Sequence, residues 1–159
     1  MISQAYVNEL FEYREGVLYW KVNKARAKAG APVGNLNNHG YIHTKIDGQR
    51  YRNHQLIYLM HHGYIPKQID HIDRNRTNNR IENLRACTQT ENLYNTGVLN
   101  RSSTGVKGVN WHNASKKWMV RINVKKKTLY LGIFDSFEEA SVVATEARSK
   151  HHGEFARHN

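Results

Sequence analysis

Cysteine is nearly absent from the sequence, because Cys87 is its only example. One cysteine cannot form an internal disulfide, and it cannot complete a zinc site built from cysteine pairs. Nothing around Cys87 resembles a catalytic Cys–His pair, so we interpret it as a small, partly buried apolar residue. The chain is therefore expected to fold by ordinary packing and to work in the cytoplasm.

Long apolar runs and acidic residues are also scarce. No segment is apolar over the length that spans a bilayer, and no N-terminal run has the form of a secretory signal, so no membrane partner is expected. Lys and Arg number 24 against 13 Asp and Glu, which gives a formal net charge of +11 over 159 residues. This excess favours a phosphate-rich partner such as nucleic acid. Charge alone does not separate a DNA-binding enzyme from a structural RNA-binding protein.

The composition changes along the chain in a way that predicts two modules. A short stretch rich in Asn, Gly, Ser and Thr predicts a linker at 98–104. We therefore predict an N-terminal domain at 1–97, with a core motif at 68–95, and a C-terminal domain at 105–159. Both halves carry a net positive charge, so both are suited to the same polyanion.

Hydrophobic patterning predicts an α+β fold for both modules. In the N-terminal module, 17–22, 40–46 and 49–53 have the residue types and alternation of strands, and Asp47-Gly48 is a strong hairpin signal. The segment 54–62 has apolar residues at helical spacing. In the C-terminal module, three short antiparallel strands and one helix are predicted, at 106–111, 117–124, 128–134 and from Ser136 to Gly153.

The segment 69–95, IDHIDRNRTNNRIENLRACTQTENLYN, carries the residue types that phosphodiester hydrolysis needs. The reaction needs an activated water, neutralisation of charge on the phosphoryl oxygens and stabilisation of the leaving oxygen. His71 can take a proton from water. Asp70 and Asn92 offer oxygen ligands to a hard divalent cation and leave most coordination positions to water and phosphate. Magnesium and manganese both fit such a site.

In residue type and spacing, this segment resembles the HNH endonucleases of the phage and homing type, which have the ββα-metal fold. The resemblance implies that His71 is the general base, that Asp70 and Asn92 hold the metal, and that Asn83 orients the loop by hydrogen bonds. It also implies two short strands around an Asn-rich loop, with the helix that carries Asn92 packed across them. Asn92 stands where the family name has histidine. The zinc-binding cysteine pairs of some relatives are absent, so Mg²⁺, Mn²⁺ or another divalent cation is expected rather than zinc.

Arginines are clustered within and beside the motif, where contacts to DNA phosphates are expected. A solvated basic face is the alternative for any one of them. The four candidates are Arg74, Arg76, Arg80 and Arg85. Upstream, His43, Arg52 and His54 are candidates for a second contact, and surface or structural roles are favoured for each of them.

Residues 105–157 resemble the AP2 (ERF-type) DNA-binding domain. The resemblance rests on Gly108-Val109, Trp118, Ile122, Leu131 to Asp135, Glu138 to Ala140 and Ala144. It implies a three-stranded sheet backed by one helix, with the outer sheet face in the major groove. Asn110 and Arg121 depart from the family pattern, so base preference is not carried over. The expected DNA-binding residues are Lys107, Asn110, Trp111, Lys116, Trp118, Arg121 and Asn123.

Together these features predict a metal-dependent HNH endonuclease that nicks or cuts double-stranded DNA and is positioned by an AP2-like domain. A phage genome or mobile element is its expected source, and the bacterial host cytoplasm its expected location. A non-catalytic DNA-binding or transcription-type protein with a vestigial nuclease fold remains an alternative, as does an RNA-binding protein. One active site per chain fits either a monomer that nicks or a homodimer that cuts both strands.

Overall fold

The computed structural model describes residues 2–95 and 104–158, and the chain forms two compact units, Met1–Cys87 and Thr88–Asn159. The sequence predicts a boundary after residue 97, whereas the contacts divide the chain after Cys87. The difference arises because a helix that follows Cys87 packs with the second unit. Most of the predicted linker lies outside the described residues.

The first unit begins with a short helix, α1 (Gln4–Leu10), whose N-terminus is capped by the Ser3 side chain. It leads directly into an antiparallel hairpin, β1 (Phe11–Arg14) and β2 (Val17–Trp20). The sequence pattern predicts β2 but not α1 or β1.

A second antiparallel sheet follows, with the order β3 (Asn35–Leu36), β4 (Ile42–Ile46) and β5 (Gln49–Arg52). The turn between β4 and β5 has positive φ angles at both of its central residues, 47° at Asp47 and 84° at Gly48. These angles are those of a type I′ turn, whose twist matches that of the flanking strands. The predicted hairpin is therefore confirmed.

The helix α2 (Asn53–His62) follows β5 without a loop and ends at Gly63, which has a φ of 79°. Its apolar side chains enter the core of the first unit together with residues of α1, β1 and β2. The core members that are less than 2 % exposed are Val7, Phe11, Leu18, Leu56 and Ile57. The last pair of strands, β6 (Gln68–His71) and β7 (Leu84–Cys87), flanks the Asn-rich loop, as the resemblance implied.

The second unit contains α3 (Gln89–Tyr94) and a three-stranded antiparallel sheet. Its strands are β8 (Val109–His112), β9 (Lys117–Val124) and β10 (Lys127–Phe134), with β9 in the centre, and α4 (Phe137–His152) packs on them. Ser136 caps α4, as predicted, by accepting a hydrogen bond from the Glu139 N–H. Val109, Val120, Ala140 and Ala144 form the buried core between sheet and helix.

The architecture is mixed α+β with four α-helices and several small sheets among the described residues, so the predicted fold class is confirmed at that level. In the second unit, one helix backs a three-stranded sheet, and α3 is an addition to that arrangement. Within the described parts of the chain, no helix has the length and apolar character needed to cross a bilayer.

Candidate active site

The β6–β7 hairpin holds the Asp-His pair at the end of β6. Asp70 lies opposite Arg85 in the strand register, and His71 lies opposite Leu84. Asp70 and His71 are both only 5 % exposed, which is unusual for a carboxylate and an imidazole in so polar a segment. Each of them therefore needs polar partners within the fold.

The loop between β6 and β7 is tied together by side-chain hydrogen bonds centred on Asp73. Its Oδ1 accepts from the Asn75 N–H at 2.8 Å and from Asn83 Nδ2 at 2.9 Å, and its Oδ2 accepts from Asn78 Nδ2 at 2.6 Å. Although burial raises the pKa of Asp73, the hydrogen bonds from Asn78 and Asn83 bring it below the ordinary value. An ionised Asp73 thus organises the loop.

Asn83 joins the two ends of this loop. Its Oδ1 accepts from the Asp73 N–H at 3.0 Å, its Nδ2 also donates to the Asn78 carbonyl at 2.8 Å, and its own carbonyl accepts from the Ile72 N–H at 2.9 Å. Only a side chain that both donates and accepts can make this set. These are the bonds that the predicted loop-orienting role requires.

The β1–β2 hairpin packs against the same loop. Gly16 in its turn has a φ of 89°, and a Cβ there would lie 2.7 Å from the backbone nitrogen of Arg80. The Tyr13 hydroxyl accepts a hydrogen bond from the Ile81 N–H at 3.0 Å. The close approach is possible because residue 16 has no side chain, so an N-terminal turn helps to fix the loop conformation.

The buried His71 ring is held by Asn79. His71 Nε2 lies 2.9 Å from Asn79 Oδ1, and Asn79 is 2 % exposed. Since an amide oxygen can only accept, Nε2 carries the hydrogen and the lone pair of the neutral ring is on Nδ1. Burial lowers the pKa of His71, outweighing the hydrogen bond from Asn79 and the charge of Asp73, which raise it. A neutral ring at physiological pH is the form that can accept a proton.

A second histidine lies against His71. The His54 ring meets the His71 ring edge-on at a centroid distance of 5.0 Å, and the Tyr41 ring lies 5.4 Å from His54. Burial, followed by the charges of His71 and Arg52, lowers the pKa of His54 to about 3. His54 is therefore neutral near physiological pH and packs against His71 as an uncharged ring.

The position of His54 is set by the residue before it. Asn53 is 2 % exposed, accepts a hydrogen bond from the Thr44 hydroxyl at 2.6 Å and donates to the Val33 carbonyl at 2.8 Å. These bonds fix the first turn of α2 on the β3–β4–β5 sheet. From the sequence, a surface or structural role is favoured for His54, and Asn79 is not singled out. Nothing in the sequence separates Asn79 from Asn75 and Asn78.

Asp70 is paired with Arg85. Arg85 Nε and Nη2 both donate to Asp70 Oδ2, at 2.9 and 2.8 Å, and the two side chains are 13 % and 6 % exposed. The structure thus gives Arg85, predicted to contact DNA, a nearly buried carboxylate as its partner. A carboxylate is a ligand that hard divalent cations prefer. Among the described residues, no three His, Cys, Asp or Glu side chains cluster in a way that would hold a metal.

The other three predicted arginines are exposed. Arg76 lies over the Tyr41 ring at 5.0 Å and donates to the His39 carbonyl, and Arg52 lies over the same ring at 4.7 Å. Arg80 forms an exposed ion pair with Glu15. Arg74 occupies a left-handed turn position with a φ of 65°. The guanidinium groups of Arg52 and Arg76 on Tyr41 form a cationic surface beside His54 and His71.

Asn92, the second predicted metal ligand, lies on α3 and is half-buried within the second unit. The N-terminus of α3 is closed by a capping box between Thr88 and Glu91. Its C-terminal Tyr94 stacks on His152 of α4 with ring centroids 3.8 Å apart, and its hydroxyl accepts from the Lys125 N–H at 2.7 Å. These contacts place α3 in the second unit.

The predicted DNA-binding residues of the second unit follow the strand alternation. Val120 and Ile122 are buried, whereas most of the candidates between them and on the neighbouring strand are exposed. The exposed candidates are Asn110, Trp111, Lys116, Arg121 and Asn123. Trp118 packs between Trp111 and Phe137 and so contributes to the core as well. Lys107 is half-buried and donates to the carbonyl groups of Leu93 and Tyr94.

Comparison with known proteins identifies the segment that contains this hairpin. Residues 51–94 match the family model described as HNH endonuclease. The chain is 33 % identical to Protein 3.8 of Escherichia phage T7 over 110 residues, which cover 67 % of this chain and 88 % of that protein. No solved structure matches the chain significantly. The match includes β6, the Asn-rich loop, β7 and α3.

Proposed function

The chain belongs to the family of phage T7 Protein 3.8 and contains an HNH endonuclease domain, and from this premise we propose that it is a metal-dependent endonuclease acting on double-stranded DNA. The observation that carries the proposal is the buried His71, whose Nε2 is bonded to Asn79 at 2.9 Å inside the matched segment. An imidazole oriented and kept neutral in this way is suited to general-base chemistry.

His71 would take the proton of the attacking water on Nδ1. The bond to Asn79 fixes the tautomer, because Nε2 already carries a hydrogen. His54 packs edge-on against the ring and limits its movement on that side. The resulting imidazolium would be stabilised by the negative charges of Asp70 and Asp73, both of which favour the protonated ring.

HNH nucleases generally use a divalent metal, and the donor chemistry of Asp70 fits one. A bound Mg²⁺ or Mn²⁺ would neutralise charge on the phosphoryl oxygens and stabilise the leaving oxygen. Arg85 orients the Asp70 carboxylate and balances its charge through Oδ2. Asn92 belongs to the other compact unit, so its part in holding the metal stays a prediction.

The cationic surface made by Arg52, Arg76 and Tyr41 would hold the DNA backbone near His71. Arginine forms forked hydrogen bonds with phosphates, and its stacking on an aromatic ring reduces the freedom lost on binding. The exposed sheet face of the second unit would supply further DNA contacts, in the manner of an AP2-like domain. A homing-type role in a phage or mobile element is a further prediction.

Cleavage of DNA tests the proposal directly. Purified protein would be incubated with supercoiled plasmid and with a high-molecular-weight genomic DNA pool, in Mg²⁺, Mn²⁺ or chelator. We expect open-circle or linear plasmid, lost in chelator and in His71→Ala but kept in the control variant His151→Ala, whose histidine is exposed on the second unit. The ratio of open-circle to linear product separates nicking from double-strand cutting.

DNA binding must be measured on the same variants. We expect His71→Ala to bind DNA nearly as well as the original chain, because the base is needed for proton transfer and not for affinity. Cleavage that survives in His71→Ala would exclude the assigned base. Tight DNA binding without cleavage in any metal would favour the alternative, a DNA-binding protein with a vestigial nuclease fold.

A further inference from the structure

The second unit contains a pocket that is independent of His71 and Asp70. It has a volume of about 640 Å³ and is bounded by α3, the start of β8, the middle of β9 and the C-terminal half of α4. Five basic residues line it, namely Lys107, Arg121, Lys126, Arg148 and His152, and none of the described lining residues is Asp or Glu. A pocket with only positive charge is suited to an anion.

Arg148 is the most deeply buried of these side chains, with 1 % of its surface exposed. Its Nη1 donates to the Lys107 carbonyl, and its Nη2 donates to the Thr145 hydroxyl at 3.3 Å. Its Nε–H is buried and has no hydrogen-bond partner among the described residues. No ion pair within the described part of the chain includes Arg148. A buried guanidinium without a carboxylate is costly unless a ligand completes it.

His152 repeats this pattern one helical turn later on α4. It is 7 % exposed, its Nε2 donates to the Asn123 carbonyl at 2.9 Å, and its Nδ1 is buried without a partner among the described residues. Burial and the positive charges of Lys107, Arg148 and His151 lower its pKa, with the Asn123 bond opposing them. Burial and the charges of Arg148 and Arg157 likewise lower the pKa of Lys107. Lys107 and Arg148 therefore repel one another, and an anion between them would remove the repulsion.

The remaining wall of the pocket is aromatic. Tyr94 stacks flat on His152, with the two rings 8° from parallel, and the Tyr94 hydroxyl is already used as an acceptor for the Lys125 N–H. The stack fixes the His152 ring, so that Nδ1 has a defined direction. A fixed ring beside a fixed guanidinium gives a preorganised pair of polar groups, which lowers the entropy lost on binding.

We propose that this pocket is a binding site for a phosphate group, in which Arg148 Nε is the buried donor and Lys107 and Lys126 supply further charge. Because His152 Nε2 donates to Asn123, the Nδ1 of the neutral ring carries a lone pair, and it becomes a second donor when the ring takes up a proton beside the bound anion. Phosphate is the anion that suits an arginine fork with additional cations, because it offers several acceptor oxygens in fixed directions. The phosphate can come from a free nucleotide or from the DNA backbone. The site does not depend on nuclease activity, since all of its lining residues belong to the second unit.

Nuclear magnetic resonance of the full chain tests the proposal. Inorganic phosphate, a 5′-mononucleotide and a short DNA duplex would be titrated separately, with chloride at matched ionic strength as the control. We expect saturable shifts of the Arg148 Nε–H signal and the His152 ring signals with phosphate but not with chloride. If the duplex displaces phosphate from these signals, the DNA backbone is the source. If the mononucleotide binds there and the duplex leaves the signals unchanged, the source is a free phosphate ester.

Two variants and one control complete the experiment. Arg148→Gln is expected to weaken phosphate binding about tenfold, the loss that one charge-assisted hydrogen bond accounts for. Lys126→Gln, at an exposed position, is expected to weaken it about threefold by the loss of one nearby charge. Lys150→Gln, on the exposed side of α4 and outside the lining, should leave it unchanged.

Arg148 also donates a hydrogen bond to the Lys107 carbonyl, and its loss could unfold the second unit. The result for Arg148→Gln therefore counts only if the circular dichroism spectrum of the variant matches that of the original chain. If that variant does not fold, the original chain and Lys126→Gln decide the question. The proposal is overturned if no probe gives a saturable shift at Arg148 and His152, if chloride reproduces the shifts, or if Lys126→Gln and Lys150→Gln bind phosphate equally. In those cases Arg148 has only its structural role.

Discussion

His71 Nε2 and Asn79 Oδ1 lie 2.9 Å apart, and both side chains are buried. The bond crosses the Asn-rich loop and connects the end of β6 to a residue near the start of β7. The loop conformation therefore determines which nitrogen of His71 carries the hydrogen and how the ring is oriented. The contact between His71 and Asn79 depends on the rest of the loop. Hydrogen bonds between Asp73 and Asn83 hold the loop, and the close packing of Gly16 supports it.

Replacing Asn79 is expected to slow cleavage without changing DNA affinity. In Asn79→Ala the His71 ring loses the amide oxygen that accepts from its Nε2–H and can reorient, and misplacement of a catalytic group costs about 10²-fold in rate. Single-turnover cleavage and DNA-binding titrations would measure the two effects separately. Asn75→Ala is the matched control, because Asn75 lies in the same loop but is exposed and bonds to Thr77. A wild-type cleavage rate in Asn79→Ala would remove Asn79 from the site.

Replacing Arg85 is expected to destabilise the first unit. Arg85→Gln removes a guanidinium that makes two hydrogen bonds to the nearly buried Asp70 carboxylate, and breaking such a pair costs about 3–5 kcal/mol of unfolding free energy. Urea unfolding in chelator measures this loss. Divalent cation should restore part of it, because a metal at Asp70 would neutralise the same charge.

The control for Arg85 is Arg80→Gln. The Arg80–Glu15 pair is exposed, with side-chain exposures of 56 % and 77 %, so its loss should change unfolding by at most about 0.5 kcal/mol. Equal stability of Arg85→Gln and Arg80→Gln would show that the Asp70 pair is not important to the fold. A cation effect of equal size in both variants would argue against metal binding at Asp70.

The α+β class, the Asp47-Gly48 hairpin, α2 and the sheet with α4 could be predicted because each depends on short-range signals. A turn residue pair, a capping serine and helical or alternating apolar spacing are all local. The pair Asp70-His71 could be found for the same reason, since its two members are neighbours in the chain. The roles assigned to these residues stay predictions.

The partners of His71 could not be predicted, because they depend on tertiary structure. His54 reaches His71 only when α2 packs beside β6, and Asn79 is chosen over Asn75 and Asn78 by the path of the loop. The sequence also does not predict that α3 groups with the second unit, because this grouping depends on the stacking of Tyr94 on His152. Side chains far apart in sequence carry no local signal for such contacts.

The stability of the first unit is expected to fall with pH below neutrality because of His54. Its folded pKa is about 3 against an ordinary value of 6.5, so the unfolded chain binds the proton more readily. The stabilisation that neutral His54 gives the folded state is therefore complete above pH 6.5 and is lost as the pH falls from 6.5 towards 3. Between pH 7 and pH 5 this one group should reduce the unfolding free energy by about 2 kcal/mol.

Urea unfolding followed at the α2 amide signals would measure this dependence. His54→Gln should reduce the slope between pH 7 and pH 5, whatever its stability at pH 7, because glutamine does not titrate. His151→Gln, whose histidine is exposed, should keep the slope of the original chain. An identical slope in His54→Gln would mean that His54 is not buried as a neutral ring.

The exposed face of β9 is expected to contribute DNA affinity separately from catalysis. Arg121 is exposed opposite Tyr130 of β10, on the face that does not pack on α4. If Arg121 reads a base edge, Arg121→Ala should weaken DNA binding by about 1–3 kcal/mol and relax sequence preference at one position. If it contacts a phosphate instead, the loss should be similar on all sequences and the dependence of affinity on salt should become shallower. Lys150→Ala on α4 is the control for the loss of one exposed charge.

Under either form of contact, the cleavage rate of Arg121→Ala at saturating protein should stay unchanged, because His71 and its partners lie in the other compact unit. An affinity unchanged from that of the Lys150→Ala control would exclude Arg121 from the DNA-binding surface.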